Sequence, residues 1–118
     1  MPANPTGLSV PVYRWPDAIL EGRAGGYPSD VRAAYNVGGN YLVQGADVGK
    51  SARALASLEF AVCHDYFLTP TARYCDIVLP VAGFTETDGT TTNLEGRVSV
   101  LARRVTPPGT ARSDWTIA

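Results

Sequence analysis

The chain has 118 residues, enough for one modest domain with its own core, and its 45% apolar and 18% charged content is ordinary for a soluble globular protein. A formal net charge of −1, with ten basic residues scattered so that Arg103-Arg104 is their only adjacent pair, excludes the electrostatic footprint of nucleic-acid or anionic-membrane binding. No apolar run approaches the roughly 20 residues of a membrane helix, and the six Tyr and two Trp are not interleaved with basic runs as in a single-strand-binding groove.

In chain order, residues 1–15 are proline-rich and read as irregular. Met1-Pro2-Ala3-Asn4-Pro5 has neither the charged nor the apolar region of a secretory signal, so a cytoplasmic location is expected. Pro16 to Gly22 predicts a short helix: Pro16 suits the first turn, Asp17 favours the positive end, and Gly22 stops it. Arg23 to Asp30 reads as a loop around Gly25-Gly26 and Pro28. Residues 1–30 thus form an irregular N-terminal segment with one short helix.

Val31 to Val37 predicts a strand, broken by Gly38-Gly39. Ala46 to Ser57 has helical periodicity, with Val48, Ala52, Leu55 and Ala56 on one face and Lys50 and Arg53 outward. Leu58 to Cys63 predicts a second apolar strand, ended by His64-Asp65. Thr69 suits an N-cap and Pro70 the first position of a short helix ending near Tyr74. Asp76 to Leu79 predicts a third strand, stopped by Pro80. The expected fold class is therefore α/β: a Rossmann-like βαβαβ core over residues 31–82. Strands without clean alternation imply a short, mostly parallel sheet buried on both faces.

Residues 83–118 read as an irregular extension toward a following domain, with one β-strand. Phe84 to Asn93 holds five threonines and reads as a polar loop. Arg97 to Val105 alternates and predicts a lone strand, ended by Pro107-Pro108-Gly109. Ser113 suits the N-cap of a helix beginning at Asp114-Trp115, where the sequence stops three residues later, so a fragment of a longer protein is expected.

Two strand ends carry ligand-type residues, and that edge is where open α/β sheets bind nucleotides. Gly38-Gly39-Asn40 lets backbone N–H groups approach a ligand and adds a carboxamide, but such a turn is more often only a turn, and no third glycine completes a dinucleotide fingerprint. Asp65, about 25 residues after the glycines, stands where a carboxylate meets a ribose hydroxyl or guanine edge. Equally, Asp65 caps the following turn and His64, the sole histidine, is a partly exposed loop residue. One histidine without other ligands builds no zinc site, and no nucleophile–histidine–acid arrangement is present. Glu86 and Asp88 suit a solvated loop better than a cation site, and Asp76 suits a cap better than catalysis. Cys63 and Cys75, twelve residues apart, fit neither a CxxC motif nor a zinc pair and read as buried free thiols of a reducing compartment.

Five ordered segments carry a resemblance: Gly38-Gly39-Asn40; His64-Asp65-Tyr66-Phe67-Leu68-Thr69-Pro70-Thr71-Ala72; Tyr74-Cys75-Asp76-Ile77-Val78-Leu79-Pro80; Thr92-Asn93-Leu94-Glu95-Gly96-Arg97-Val98; and Pro107-Pro108-Gly109 with Asp114-Trp115. In this order, from Trp15 to Trp115, the chain resembles the molybdopterin oxidoreductases, the large catalytic subunits of dimethyl-sulfoxide-reductase and formate-dehydrogenase type. The resemblance implies part of the nucleotide-binding third domain of a molybdenum or tungsten enzyme, helping to hold a molybdopterin guanine dinucleotide. It implies cofactor contact at Gly38, Gly39, Asn40, His64 and Asp65. Thr87 falls where lysine is frequent, so that contact is weakened or lost here. Asn93, Glu95 and Arg97 match a motif taken as mainly structural.

The family's iron–sulfur cysteines and metal-ligand segment are not in this sequence, so the chain alone is expected to be inactive. Its expected partners are the remaining domains of a parent catalytic subunit and an iron–sulfur electron-transfer subunit, with neither nucleic acid nor a membrane segment. An upstream twin-arginine signal would place that parent outside the cytoplasm. Two alternatives remain: a cofactor-free structural domain of a complex I-like electron-transfer subunit, which shares the third and fourth segments, and a small independent nucleotide-binding module.

Overall fold

Three short apolar segments alternate with helical ones, and in the computed structural model, which describes residues 8–118, they lie side by side as a parallel sheet. The irregular stretch expected over residues 1–15 lies outside the described residues as far as residue 7. A 3-10 turn, Val12–Arg14, leads into α1, Trp15–Glu21, with Pro16 in its first turn and Asp17 beside its positive end. Gly22 ends α1 with φ +50° and ψ −146°, donating its N–H to the Ala18 carbonyl.

Strand β1, Ala33–Val37, is followed by a single helical turn α2, Tyr41–Gln44, that the sequence did not predict, and by α3, Val48–Ala56. Asp47 caps α3 by accepting from the Lys50 N–H at 2.8 Å. Its buried face is Ser51, Ala54 and Leu55, whereas Val48 and Ala56, expected inward, are exposed. Lys50 is not simply outward: its ammonium pairs with Asp17, fastening α3 to α1.

Strand β2 runs Phe60–Asp65, two residues beyond the predicted end. The 3-10 turn Ala72–Tyr74 and strand β3, Ile77–Pro80, complete the order β1-β2-β3, with every pairing parallel. Asp76 Oδ2 accepts from the Ala61 N–H at 2.8 Å while the Asp76 N–H donates to the Ala61 carbonyl at 2.9 Å, so this carboxylate starts β3 against β2. Arg32 and Glu59 form a bidentate exposed pair at 2.6 Å ahead of β1 and β2, which raises the Arg32 pKa.

The register divides the sheet into two faces. Ala34, Asn36, Ala61 and Cys63 face α1 and α3, around a cavity of about 440 Å³ to which Asn36, Ala61, Tyr41, Leu55 and Cys75 contribute. Tyr35, Val37, Phe60 and Ile77 share the other face and are 43–56% exposed. The expectation of burial on both faces is corrected: apolar strands mark a sheet made for two covers, but the described residues pack α1 and α3 against one side and, apart from Val62 and His64, leave the other largely open.

The C-terminal extension differs from its reading as a loop with a lone strand. Gly89–Thr92 forms β4, antiparallel to β5, Val98–Leu101. Consecutive β-branched threonines favour extended backbone, and Asn93 Oδ1 closes the connection by accepting from the N–H groups of Glu95 and Arg97. The last helix, α4, spans Asp114–Ile117 behind its Ser113 N-cap. Among the described residues no helix is long and apolar enough to cross a membrane.

Both cysteines are free, Cys63 buried and Cys75 half-buried. Burial and the adjacent Cys63 push the Cys75 thiol up from 9.0 to about 11. Because the thiolate is the nucleophile, Cys75 is expected to react with iodoacetamide at pH 8 much more slowly in the folded chain than in urea. Equal rates, read by mass spectrometry, would contradict this environment. The raised value also means that the folded chain holds the Cys75 proton longer than the unfolded one, so stability falls as pH rises from 9.0 toward about 11.

Candidate functional site

The C-terminal ends of β1 and β2 meet at one edge. There Gly38 adopts φ +64°, and its N–H donates to the His64 carbonyl at 3.0 Å, which holds the turn onto β2. No atom lies within 4 Å of the place a Cβ would occupy on Gly38, so its backbone is open to a close-approaching group. Gly39 is buried, and its carbonyl accepts from Asn36 Nδ2 at 2.7 Å.

Asn40 faces inward. Its Oδ1 accepts from Thr71 Oγ1 at 2.9 Å and from the Thr71 N–H at 3.3 Å, while Thr71 Oγ1 accepts from the Leu42 N–H at 2.9 Å. The carboxamide thus ties the turn after β1 to the segment after β2. Asp65, half-buried, does the capping that its sequence context allowed: Oδ1 accepts from the Phe67 N–H at 3.3 Å and Oδ2 from Thr69 Oγ1 at 3.0 Å. Thr69 Oγ1 in turn accepts from the Ala72 N–H at 3.2 Å. Beyond Asp65 the side chains of Tyr66, Phe67 and Leu68 are 57–75% exposed.

His64 is not a loop residue. It sits in β2 with 0% exposure, its ring between Tyr35 and Asp114. Neither partner was singled out for the site from sequence; Asp114 read as the first residue of a capped helix and as part of the fifth resemblance segment, and its meeting with His64 spans 50 residues. The structure therefore brings Gly38, Gly39, Asn40, His64 and Asp65 to one edge. Thr87 lies elsewhere in the extension: its hydroxyl donates to the Gly83 carbonyl at 3.4 Å, and it lines a cavity of about 460 Å³ with Glu86, Arg103 and Arg112. Glu86 and Asp88 accept from the N–H groups of Gly83 and Arg103. Among the described residues no cluster of three or more His, Cys, Asp or Glu could hold a metal ion.

Comparison with known proteins agrees with the fold and extends it. A family model described as molybdopterin oxidoreductase matches residues 7–118. The alpha subunit of an F420-dependent formate dehydrogenase from Methanocaldococcus jannaschii is 46% identical over 88 residues, covering 75% of this chain and 13% of that protein. A related alpha subunit from Methanococcus maripaludis is 40% identical over 111 residues, 94% of this chain and 15% of that protein. The assimilatory nitrate reductase catalytic subunit of Bacillus subtilis is 35% identical over 88 residues, 75% of this chain and 12% of that protein. Among solved structures, acetylene hydratase from Pelobacter acetylenicus superposes with a TM-score of 0.73 at 28% identity, over 86% of this chain and 14% of that one.

Proposed function

The chain belongs to the molybdopterin oxidoreductases, and from that premise we propose that the edge formed by β1 and β2 holds the nucleotide end of a molybdopterin guanine dinucleotide within a larger catalytic subunit. The chain spans 12–15% of the curated relatives named above, so the activity belongs to a polypeptide of which this is one part. Their names favour an enzyme of the formate-dehydrogenase or nitrate-reductase kind.

The observation that carries this reading is Gly38. A positive φ, an unobstructed backbone and a carboxylate on the neighbouring strand end together suit a close-approaching phosphate or purine edge. The residues fit the group. Asp65 spends one hydrogen bond on each oxygen, and a carboxylate has about four acceptor sites in all, so it retains capacity for a ribose hydroxyl or guanine N–H. The exposed rings of Tyr66 and Phe67 lie just beyond. When bound, the cofactor supplies a two-electron redox centre at its metal. This chain's residues bind and orient the nucleotide, while iron–sulfur clusters and the metal's protein ligand fall to other segments.

One observation favours a cofactor-free structural domain instead: Asn40 Oδ1 and both Asp65 oxygens already hold the chain's own turns. Native purification of the polypeptide carrying this chain, followed by assay for molybdenum, tungsten and acid-released guanine nucleotide, decides between them. Metal and nucleotide are expected in the unmodified protein, with several-fold less nucleotide in Asp65→Asn, whose Oδ1 still serves the Phe67 N–H but whose Nδ2 cannot accept a guanine N–H. A polypeptide free of both metal and guanine nucleotide would establish the structural reading.

A further inference from the structure

His64 is fully buried, yet both ring nitrogens are engaged. Nε2 lies 2.5 Å from the Tyr35 phenol oxygen, and Nδ1 lies 3.0 Å from Asp114 Oδ1. The Tyr35 and His64 rings also meet edge to face, with centroids 5.0 Å apart. Asp114 arrives because its segment is stitched to the end of β3. The Arg112 N–H donates to the Pro80 carbonyl at 3.2 Å, the Ala82 N–H donates to the Arg112 carbonyl at 2.9 Å, and Arg112 bridges Val81 in parallel. From there Asp114 reaches His64 on the open face of the sheet. On its backbone side, the same His64 accepts the Gly38 N–H.

We propose that His64 is a positioning residue: the Tyr35–His64–Asp114 chain fastens residues 112–117 to the sheet and, through the His64 carbonyl, steadies the Gly38 turn. That the steadied turn serves a nucleotide rests on the function proposed above. A carboxylate only accepts, so Asp114 fixes a proton on Nδ1. Nε2 is then free to accept from the Tyr35 O–H. A buried imidazole pays heavily for an unpaired nitrogen, so loss of one partner loosens the whole chain of contacts.

The first readout needs no variant. Nitrogen-15 NMR of the 118-residue chain is expected to show His64 protonated at Nδ1; an Nδ1 without a proton overturns the proposal. The second is amide hydrogen exchange at Gly38 and Ala82. Asp114→Ala is expected to speed both by about tenfold, and Asp114→Asn, whose carbonyl still accepts from Nδ1–H, to restore them. Exchange at Gly38 unchanged in Asp114→Ala overturns the coupling to the turn. Should Asp114→Ala fail to fold, Tyr35→Phe keeps the ring and removes only the hydroxyl. It is then expected to speed exchange at the same amides, and unchanged exchange there counts against the proposal. Both measurements are made without nucleotide, so their failure leaves the nucleotide reading standing. Conversely, a parent free of nucleotide leaves the His64 contacts standing.

Discussion

Replacing Thr71 with valine is expected to lower the free energy of unfolding by about 3 kcal/mol at nearly constant volume. Thr71 is 1% exposed. Its hydroxyl donates to Asn40 Oδ1 and accepts from the Leu42 N–H, both at 2.9 Å. Valine keeps the shape and removes both bonds. The Leu42 N–H at the start of α2 is left unpaired, and Asn40 Oδ1 keeps only the longer 3.3 Å contact from the Thr71 N–H. The stranded Leu42 N–H costs about 1–3 kcal/mol and the weakened acceptor at Asn40 adds to it, so the loss exceeds the small gain from burying one more methyl. Urea denaturation should show a lower midpoint with unchanged slope. Thr71→Ser keeps the hydroxyl and should lose only about 1 kcal/mol. A valine variant as stable as the serine one would mean that the Asn40–Thr71 link does not hold the turn after β1.

Gly22→Ala is expected to cost about 3 kcal/mol as well, for a different reason. At φ +50° and ψ −146° the residue occupies backbone space that L side chains avoid, and a Cβ would stand 2.2 Å from Asp30 Oδ1. Torsional strain contributes about 1–3 kcal/mol. Moving Asp30 aside also breaks its 2.8 Å bond from the Arg23 N–H. Asp30→Ala, combined with Gly22→Ala, separates the two: the collision vanishes and the strain remains, so the double variant should be less destabilised than the sum of the singles. Thermal unfolding of the four proteins measures this. Strict additivity would show that Asp30 and residue 22 do not meet.

The succession of elements along the chain was legible because glycines and prolines punctuate it. Gly22 and Gly38 each stop the segment that their positions predicted, and Pro80, expected just beyond the third strand, is its last residue. Less legible was anything depending on a partner distant in sequence. Threonines 90–92 looked like a polar loop because strand character there is completed by Val98 to Val100 opposite. His64 looked like a loop residue because a histidine ends an apolar run; its burial depends on Tyr35 and Asp114, 29 and 50 residues away. The site divides in the same way. Backbone permissiveness at Gly38 and the turn-capping capacity of Asp65 are local properties that a sequence displays. That Asn40 turns inward to Thr71 is set by packing after β2, 31 residues on.

The stitching of Arg112 to β3 orders events in time. Strands β1, β2 and β3 are neighbours in sequence as well as in space, so each can pair as soon as it and the intervening helix have been made. The contact between His64 and Asp114 closes a far longer loop, and its entropic cost falls due only after the sheet exists to receive it. During synthesis, then, the buried histidine spends its first moments with one nitrogen facing water. Helix α4 is what seals it, so a ribosome that stalls before Asp114 would carry a formed sheet with its central strand still unlatched.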